Sequence, residues 1–174
     1  FNFYEPTGWQ YQLNDAVEVD GFVKAGTTLF PKFSNGISLK PVGQLNLGTT
    51  FTGASAGMYF QLGALEDAKN SILFEGHLNG NNAPTKRKFE TFVYFFPRII
   101  VQGYNATIQG GMFRNHKGPV TDEPERLVYQ HTIGWMYTQA RFNIGLSIIY
   151  ETKEAQRQLE NQTYGSIRVG YCFQ

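Results

Sequence analysis

The side chains best suited to chemistry in this chain lie in one short polar stretch, where Arg114, His116 and Lys117 stand close together. Guanidinium and ammonium groups bind phosphate oxygens well, and a histidine can titrate near neutral pH. These three residues are therefore our candidate binding residues for a phosphorylated glycolipid headgroup. The simpler interpretation is a solvated polar loop, because the acidic residues Asp122 and Glu123 follow.

The other two histidines have structural interpretations that compete with a catalytic one. His77 could join Glu66 and Asp67 as a metal ligand, but the spacing matches no zinc or calcium signature. His131 shares a strand face with Trp135, which favours a packed or interfacial residue over a base. Ester hydrolysis needs an activated nucleophile, a base and oxyanion donors. We therefore assign no catalytic residue and no metal ligand in this sequence.

The composition points to strands and to a membrane. Aromatic residues make up 16% of the chain, there are 19 glycines, and only 17% of residues are charged, which is below the usual fraction of about a quarter. Mean hydropathy is −0.33, and no apolar run approaches the roughly 18 residues of a spanning helix, so a membrane crossing would use strands. A net charge of +1 gives no reason to expect nucleic acid as a partner.

Alternation with a period of two residues predicts about eight strands. In the last, residues 163–173, Ile167 and Val169 lie on one face and Ser166 and Arg168 on the other. We place the others at residues 17–29, 37–51, 54–62, 89–101, 106–113, 127–137 and 141–150. Apolar side chains facing lipid and polar ones facing a lumen are typical of an outer-membrane strand. The predicted fold class is all-β, an antiparallel transmembrane β-barrel.

The predicted connections are of two kinds, short near residues 50–53, 103–105 and 138–140, and long over residues 64–88, 114–125 and 152–162. Because outer-membrane barrels have short periplasmic turns and long extracellular loops, we expect all the long connections on one side. The inward-facing charged residues would form either a structural network or a proton or substrate path, and small barrels favour the network. They are Glu18, Asp20, Lys24, Lys40 and Arg168.

Several separated motifs carry a resemblance to a known family. They are residues 6–14 with Gly8-Trp9, residues 48–57, the spacing Arg98, Asn105 and Gly110, and the ending Thr152-Lys153-Glu154 followed by Tyr164-Gly165-Ser166. No single motif is highly specific for one family, but the order and spacing of the motifs together are specific. On them the chain resembles the outer-membrane lipid A 3′-O-deacylases, the LpxR family, over nearly its whole length.

The resemblance implies a location and a partial barrel. Family members resemble twelve-stranded barrels in the outer membrane of Gram-negative bacteria, and this chain resembles only the C-terminal part. Residues 1–174 are therefore expected to be a single barrel unit, the C-terminal part of a longer barrel. The chain also begins at Phe1 with neither Met nor a signal peptide, so we expect it to be processed or incomplete. The family's catalytic Asn-Asp and His motifs lie before the Gly8-Trp9 segment, so no position here inherits them.

The resemblance leaves the function open between two classes. One is an outer-membrane lipid A deacylase-like protein, hydrolysing the 3′-linked acyl ester if the N-terminal catalytic part exists, with calcium bound by ligands outside this chain. Its partners would be outer-membrane lipid and lipopolysaccharide. The alternative is a catalytically silent barrel that serves as a structural or accessory subunit beside other outer-membrane proteins. A soluble lipocalin-like or sandwich protein with an apolar interior is a third interpretation.

Overall fold

Seven antiparallel strands form one sheet in which each strand pairs with the next along the chain. The computed structural model describes residues 18–29, 36–65, 71, 89–113, 121–139 and 142–171. The strands are β1 (Asp20–Gly26), β2 (Ile37–Gly48), β3 (Phe51–Ala64), β4 (Phe89–Asn105), β5 (Leu127–Gln139), β6 (Phe142–Glu151) and β7 (Gln162–Tyr171). The all-β antiparallel fold predicted from the sequence is confirmed.

One predicted strand, at residues 106–113, is wrong, because β4 continues to Asn105 and is followed by a short helix, α1 (Ala106–Gln109). The Asn105 side chain caps this helix by accepting from the backbone N–H of Thr107 at 3.1 Å. Gly110 ends it with φ of +81° and donates its N–H to the carbonyl of Ala106. Asparagine before a helix and glycine after it are the usual cap residues, and these local signals override the weak alternation.

This correction changes where the connections lie. The turn between β2 and β3 and the connections 106–126 and 152–161 share one end of the sheet, here called the platform end. The connection 65–88 lies at the opposite end, as does the short one between β5 and β6. The prediction that all long connections share one side is therefore wrong. Because residues 106–113 form no strand, every later connection lies at the opposite end of the sheet from the one predicted.

The two faces of the sheet are chemically distinct. Cross-strand register places Ile167 beside Leu146 on the outer face and Arg168 beside Gly145 on the inner face, as the alternation predicts. Large apolar side chains stand exposed across the outer face. They include Val23, Leu45, Leu47, Leu62, Val93, Ile99, Val101, Leu127, Ile133, Ile148, Ile167 and Val169. So continuous an exposed apolar surface is typical of contact with lipid.

Aromatic side chains bound this apolar surface on the outer face. At the platform end His131 stacks on Tyr150, with ring centroids 4.9 Å apart. Toward the opposite end Trp135 lies 6.0 Å from Tyr137 and donates its Nε1–H to the hydroxyl of Thr91 at 3.1 Å. Aromatic rings with a polar group suit the two membrane interfaces. The interpretation of His131 as a packed or interfacial residue is confirmed.

The inner face of the central strands is packed. Phe92 and Met136, 2% and 7% exposed, form a core that Leu65 and Tyr94 complete. The edge strands β1 and β7 are exposed on both faces almost throughout. Of the residues described, none belongs to a helix long and apolar enough to cross a membrane. Among the described strands, the buried side chains lie on β2 to β6.

Candidate functional site

The predicted headgroup-binding residues Arg114, His116 and Lys117 lie outside the described residues, so their role stays a prediction. The structure describes the chain on both sides of them, at the platform end. There the backbone N–H of Asp122 donates to the carbonyl of Ile108 at 2.9 Å. His77 also lies outside the described residues, so the metal interpretation of that stretch is untested.

The described residues of the platform end contain a group of polar side chains on the inner face, which we call the carboxyl cluster. Its members are Gln102, Gln130, Glu151, Glu154 and Tyr164. Gln130 and Glu151 face each other across β5 and β6, and the amide Nε2 of Gln130 donates to Oε2 of Glu151. Both side chains are buried. A buried carboxylate is stable only with such a partner.

The chain beyond β6 is held against β5 by the residue that follows Glu151. The backbone N–H of Thr152 donates to the carbonyl of Tyr129 at 2.9 Å. In return, the N–H of Tyr129 donates to the hydroxyl of Thr152 at 3.0 Å. This reciprocal pair continues the ladder past the end of the strand and fixes the direction in which Glu154 is presented.

Gln102 connects the cluster to the neighbouring connection. Its amide Nε2 donates to the carbonyls of Glu125 and Glu154, at 3.1 Å and 3.3 Å. Its Oε1 accepts from Nδ2 of Asn105 at 3.1 Å, so the same asparagine that caps α1 also orients Gln102. One buried amide therefore joins β4, the connection after β4 and the connection after β6.

The two connections also pair with each other. The N–H of Glu125 donates to the carbonyl of Glu154 at 2.7 Å, and the N–H of Gln156 donates to the carbonyl of Glu123 at 3.0 Å. Asp122 accepts from the N–H of Arg157 at 2.8 Å through its Oδ2. Backbone pairing outside the sheet gives the platform end a defined shape.

Burial raises the pKa of Glu154 from its ordinary 4.5 to about 7, and the charge and hydrogen bond of Glu151 act in the same direction. A carboxyl group with a pKa in this range can take up or release a proton near neutral pH. The cluster thus contains one group, Glu154, that can act as an acid or a base. The described residues contain no group of three or more His, Cys, Asp or Glu able to hold a metal ion.

Sequence reasoning missed this cluster. Tyr164 stands out in the sequence only as part of a family motif, and the structure pairs it with Ile149 on the inner face. In the sequence, Thr152-Lys153-Glu154 stands out only as a family motif, which does not indicate that Glu154 belongs to a cluster. The alternation of residues along the strands could have indicated that Gln130 and Glu151 lie on the same side, because both fall on the inner, polar face of their strands.

Comparisons with known proteins agree with this fold. A model of the family described as outer membrane protein LpxR matches residues 1–173. Among solved structures, LpxR from Salmonella typhimurium is similar with a TM-score of 0.66 and 15% sequence identity. The match covers 95% of this chain and 55% of that one, so the chain spans about half the length of the solved relative. No curated protein sequence matches.

Proposed function

Because this chain belongs to the family of outer membrane protein LpxR, we propose that it is part of an outer-membrane lipid A deacylase-like enzyme that hydrolyses the 3′-linked acyl ester of lipid A. The family match over residues 1–173 is the observation that carries the proposal. The exposed apolar outer face, bounded by aromatic side chains, supports a position in the outer membrane, where that substrate lies.

The sheet edges support a second element of the proposal, that this chain is one part of a longer barrel. The inner faces of β2 to β6 are largely covered, whereas β1 and β7 are exposed on both faces. An exposed strand edge is a template for pairing with further strands. We propose that additional strands continue the wall beyond β1 and β7.

The predicted headgroup site would act at the platform end. Arg114, His116 and Lys117 would bind lipid A phosphates, since cationic side chains match phosphate oxygens in charge and geometry. Calcium, which the family resemblance implies, finds no matching donor set among the described residues. We propose that its ligands lie outside this chain.

The direct test is the structure of lipid A in cells that produce the natural full-length protein. We expect mass spectrometry of extracted lipid A to show loss of the 3′-linked acyl group, with a free hydroxyl in its place. Unchanged lipid A, in cells whose outer membrane holds the folded protein, would refute the deacylase and support the structural or accessory barrel. Addition of a chelator to purified protein in detergent would test the calcium dependence in the same assay.

The headgroup residues can be tested separately with Arg114→Gln and Lys117→Gln. Each should lower activity toward phosphorylated lipid A more than toward the dephosphorylated lipid. Arg157→Gln is the matched control, because Arg157 is an exposed cation on the neighbouring connection that pairs with Asp122 at 3.8 Å. Equal losses on both lipids would argue against phosphate recognition by these residues.

A further inference from the structure

An amide buried inside the protein lacks the partners that its chemistry requires. Gln61 lies on the inner face of β3 with only 2% of its surface exposed. Neither its Nε2 nor its Oε1 has a hydrogen-bond partner in the part of the chain that the structure describes. The amide can donate two hydrogen bonds and accept two, so leaving it unpaired in the interior would be strongly unfavourable.

The groups around Gln61 share this property. Ser38 is its direct partner in the register of β2 and β3, and the Ser38 hydroxyl is also buried and unpartnered among the described residues. Thr28 is a third such group. The backbone bonds of Thr27 to Pro41 and of Leu29 to Leu39 place Thr28 opposite Lys40, on the same inner face. Thr28, Ser38 and Gln61 therefore carry unpaired polar atoms on the inner face of three neighbouring strands or strand extensions.

The surroundings define what can bind there. Lys40, 2% exposed, lies two residues from Ser38 on the same face of β2. Tyr94 lies opposite Gln61 on β4, and its ring is 5.8 Å from that of Tyr59. The lining is thus hydroxyl, amide and ammonium on one side and aromatic rings on the other. Such a lining suits a small neutral molecule that both donates and accepts hydrogen bonds.

We propose that Thr28, Ser38 and Gln61 form an internal hydration site, in which ordered water bridges the Gln61 amide to the two hydroxyl groups. Buried water typically makes about three hydrogen bonds to polar groups that otherwise lack partners, and this lining provides that number. The water would also solvate Lys40 next to the packed rings of β3 and β4.

X-ray radiolytic labelling in ¹⁸O water tests the site, because hydroxyl radicals formed from bound water oxidise the side chains beside it. With the full chain folded in detergent micelles, we expect Tyr94 to be oxidised by slowly exchanging water and Gln61→Met to lose that labelling. Gln130→Met is the matched control. Gln130 is also a buried glutamine on the inner face, with 8% of its surface exposed, but its amide is bonded to Glu151. Labelling of Tyr94 should persist in this control.

Two results would overturn the proposal. One is labelling of Tyr94 that does not change in Gln61→Met, or that is absent from the wild-type protein. The other comes from urea unfolding. A water-bonded amide predicts that Gln61→Met raises the unfolding equilibrium constant by about 2- to 12-fold, the equivalent of a lost hydrogen bond. An unpaired amide predicts the reverse, a variant more stable than wild type. Ser38→Ala, a smaller change, provides the labelling test if Gln61→Met does not fold.

Discussion

The rings of Tyr59 and Phe96 stack face to face on the inner side of the sheet, with centroids 3.8 Å apart and planes within 5°. The stack depends on Gly57, in the next inner-facing position along β3. A Cβ atom there would lie 2.8 Å from Cε2 of Phe96 and 2.6 Å from the carbonyl oxygen of Pro97. A glycine is therefore required for the Phe96 ring to lie flat against the strand.

Gly57→Ala should destabilise the protein, because the methyl group meets a backbone oxygen that cannot move away as a side chain would. Overpacking of this kind costs about 1–3 kcal/mol. Urea unfolding in detergent would measure it. Gly43→Ala is the control, since a Cβ at Gly43 has its nearest contact at 4.0 Å, the carbonyl oxygen of Ser55. A control as unstable as Gly57→Ala would show that the close contact of the new methyl group is not the cause.

The raised pKa of Glu154 in the carboxyl cluster predicts a pH dependence of stability. The pKa of Glu154 is raised to about 7 in the folded protein, so the folded carboxyl keeps a proton that the unfolded chain releases near its ordinary 4.5. Between these values the free energy of unfolding should fall as pH rises. Because Glu154 is partly exposed, we expect the loss to be limited to about 1 kcal/mol.

Glu154→Gln should remove this dependence. The variant should equal wild type at pH 4, where both side chains are neutral, and be more stable at pH 8, where only the wild-type side chain is charged. Glu160→Gln, a change at an exposed carboxyl on the same connection, is the control. Urea titrations at both pH values measure this difference. A Glu154→Gln variant that is less stable than wild type at pH 8 would contradict a raised pKa of Glu154 in the folded protein.

The alternation of residues predicted the faces of the strands because one face meets lipid and the other meets the interior, which constrains every second side chain. Ile167 and Arg168 lie on the faces expected for them. Alternation fails where the constraint ends. Residues 106–109 alternate by chance, and the cap formed by Asn105 makes them a helix.

The carboxyl cluster could not be predicted in the same way, because it depends on contacts between distant parts of the chain. Gln102 and Glu154 are 52 residues apart, yet they share a hydrogen bond. Cross-strand register and the pairing of two connections bring them together, and neither follows from periodicity. The resemblance to a family identified Thr152-Lys153-Glu154 as a motif without giving its role.

Asn105 should have a larger effect on the platform end than its position at a strand terminus suggests. Asn105→Ala removes the cap of α1 and leaves Oε1 of Gln102 without its donor. Loss of a cap costs about 1 kcal/mol. Hydrogen exchange at the Gly110 amide, which bonds to Ala106, should accelerate. Asn161→Ala, at an exposed asparagine bonded to Tyr150, should leave that exchange rate unchanged, and equal rates in the two variants would show that α1 forms without its cap.

The outer face makes the sharpest prediction about the membrane. Ile133 is 58% exposed and lies between the aromatic residues that bound the apolar surface. Ile133→Arg should therefore place a charge in the hydrocarbon layer. We expect this to lower the free energy of unfolding by about 2–4 kcal/mol. Leu159→Arg is the control, because Leu159 is 90% exposed but lies on a connection at the platform end. Folding of both variants into lipid vesicles, measured against urea, should show a loss only for Ile133→Arg. Equal folding of the two variants would mean that Ile133 does not face the hydrocarbon layer of a membrane.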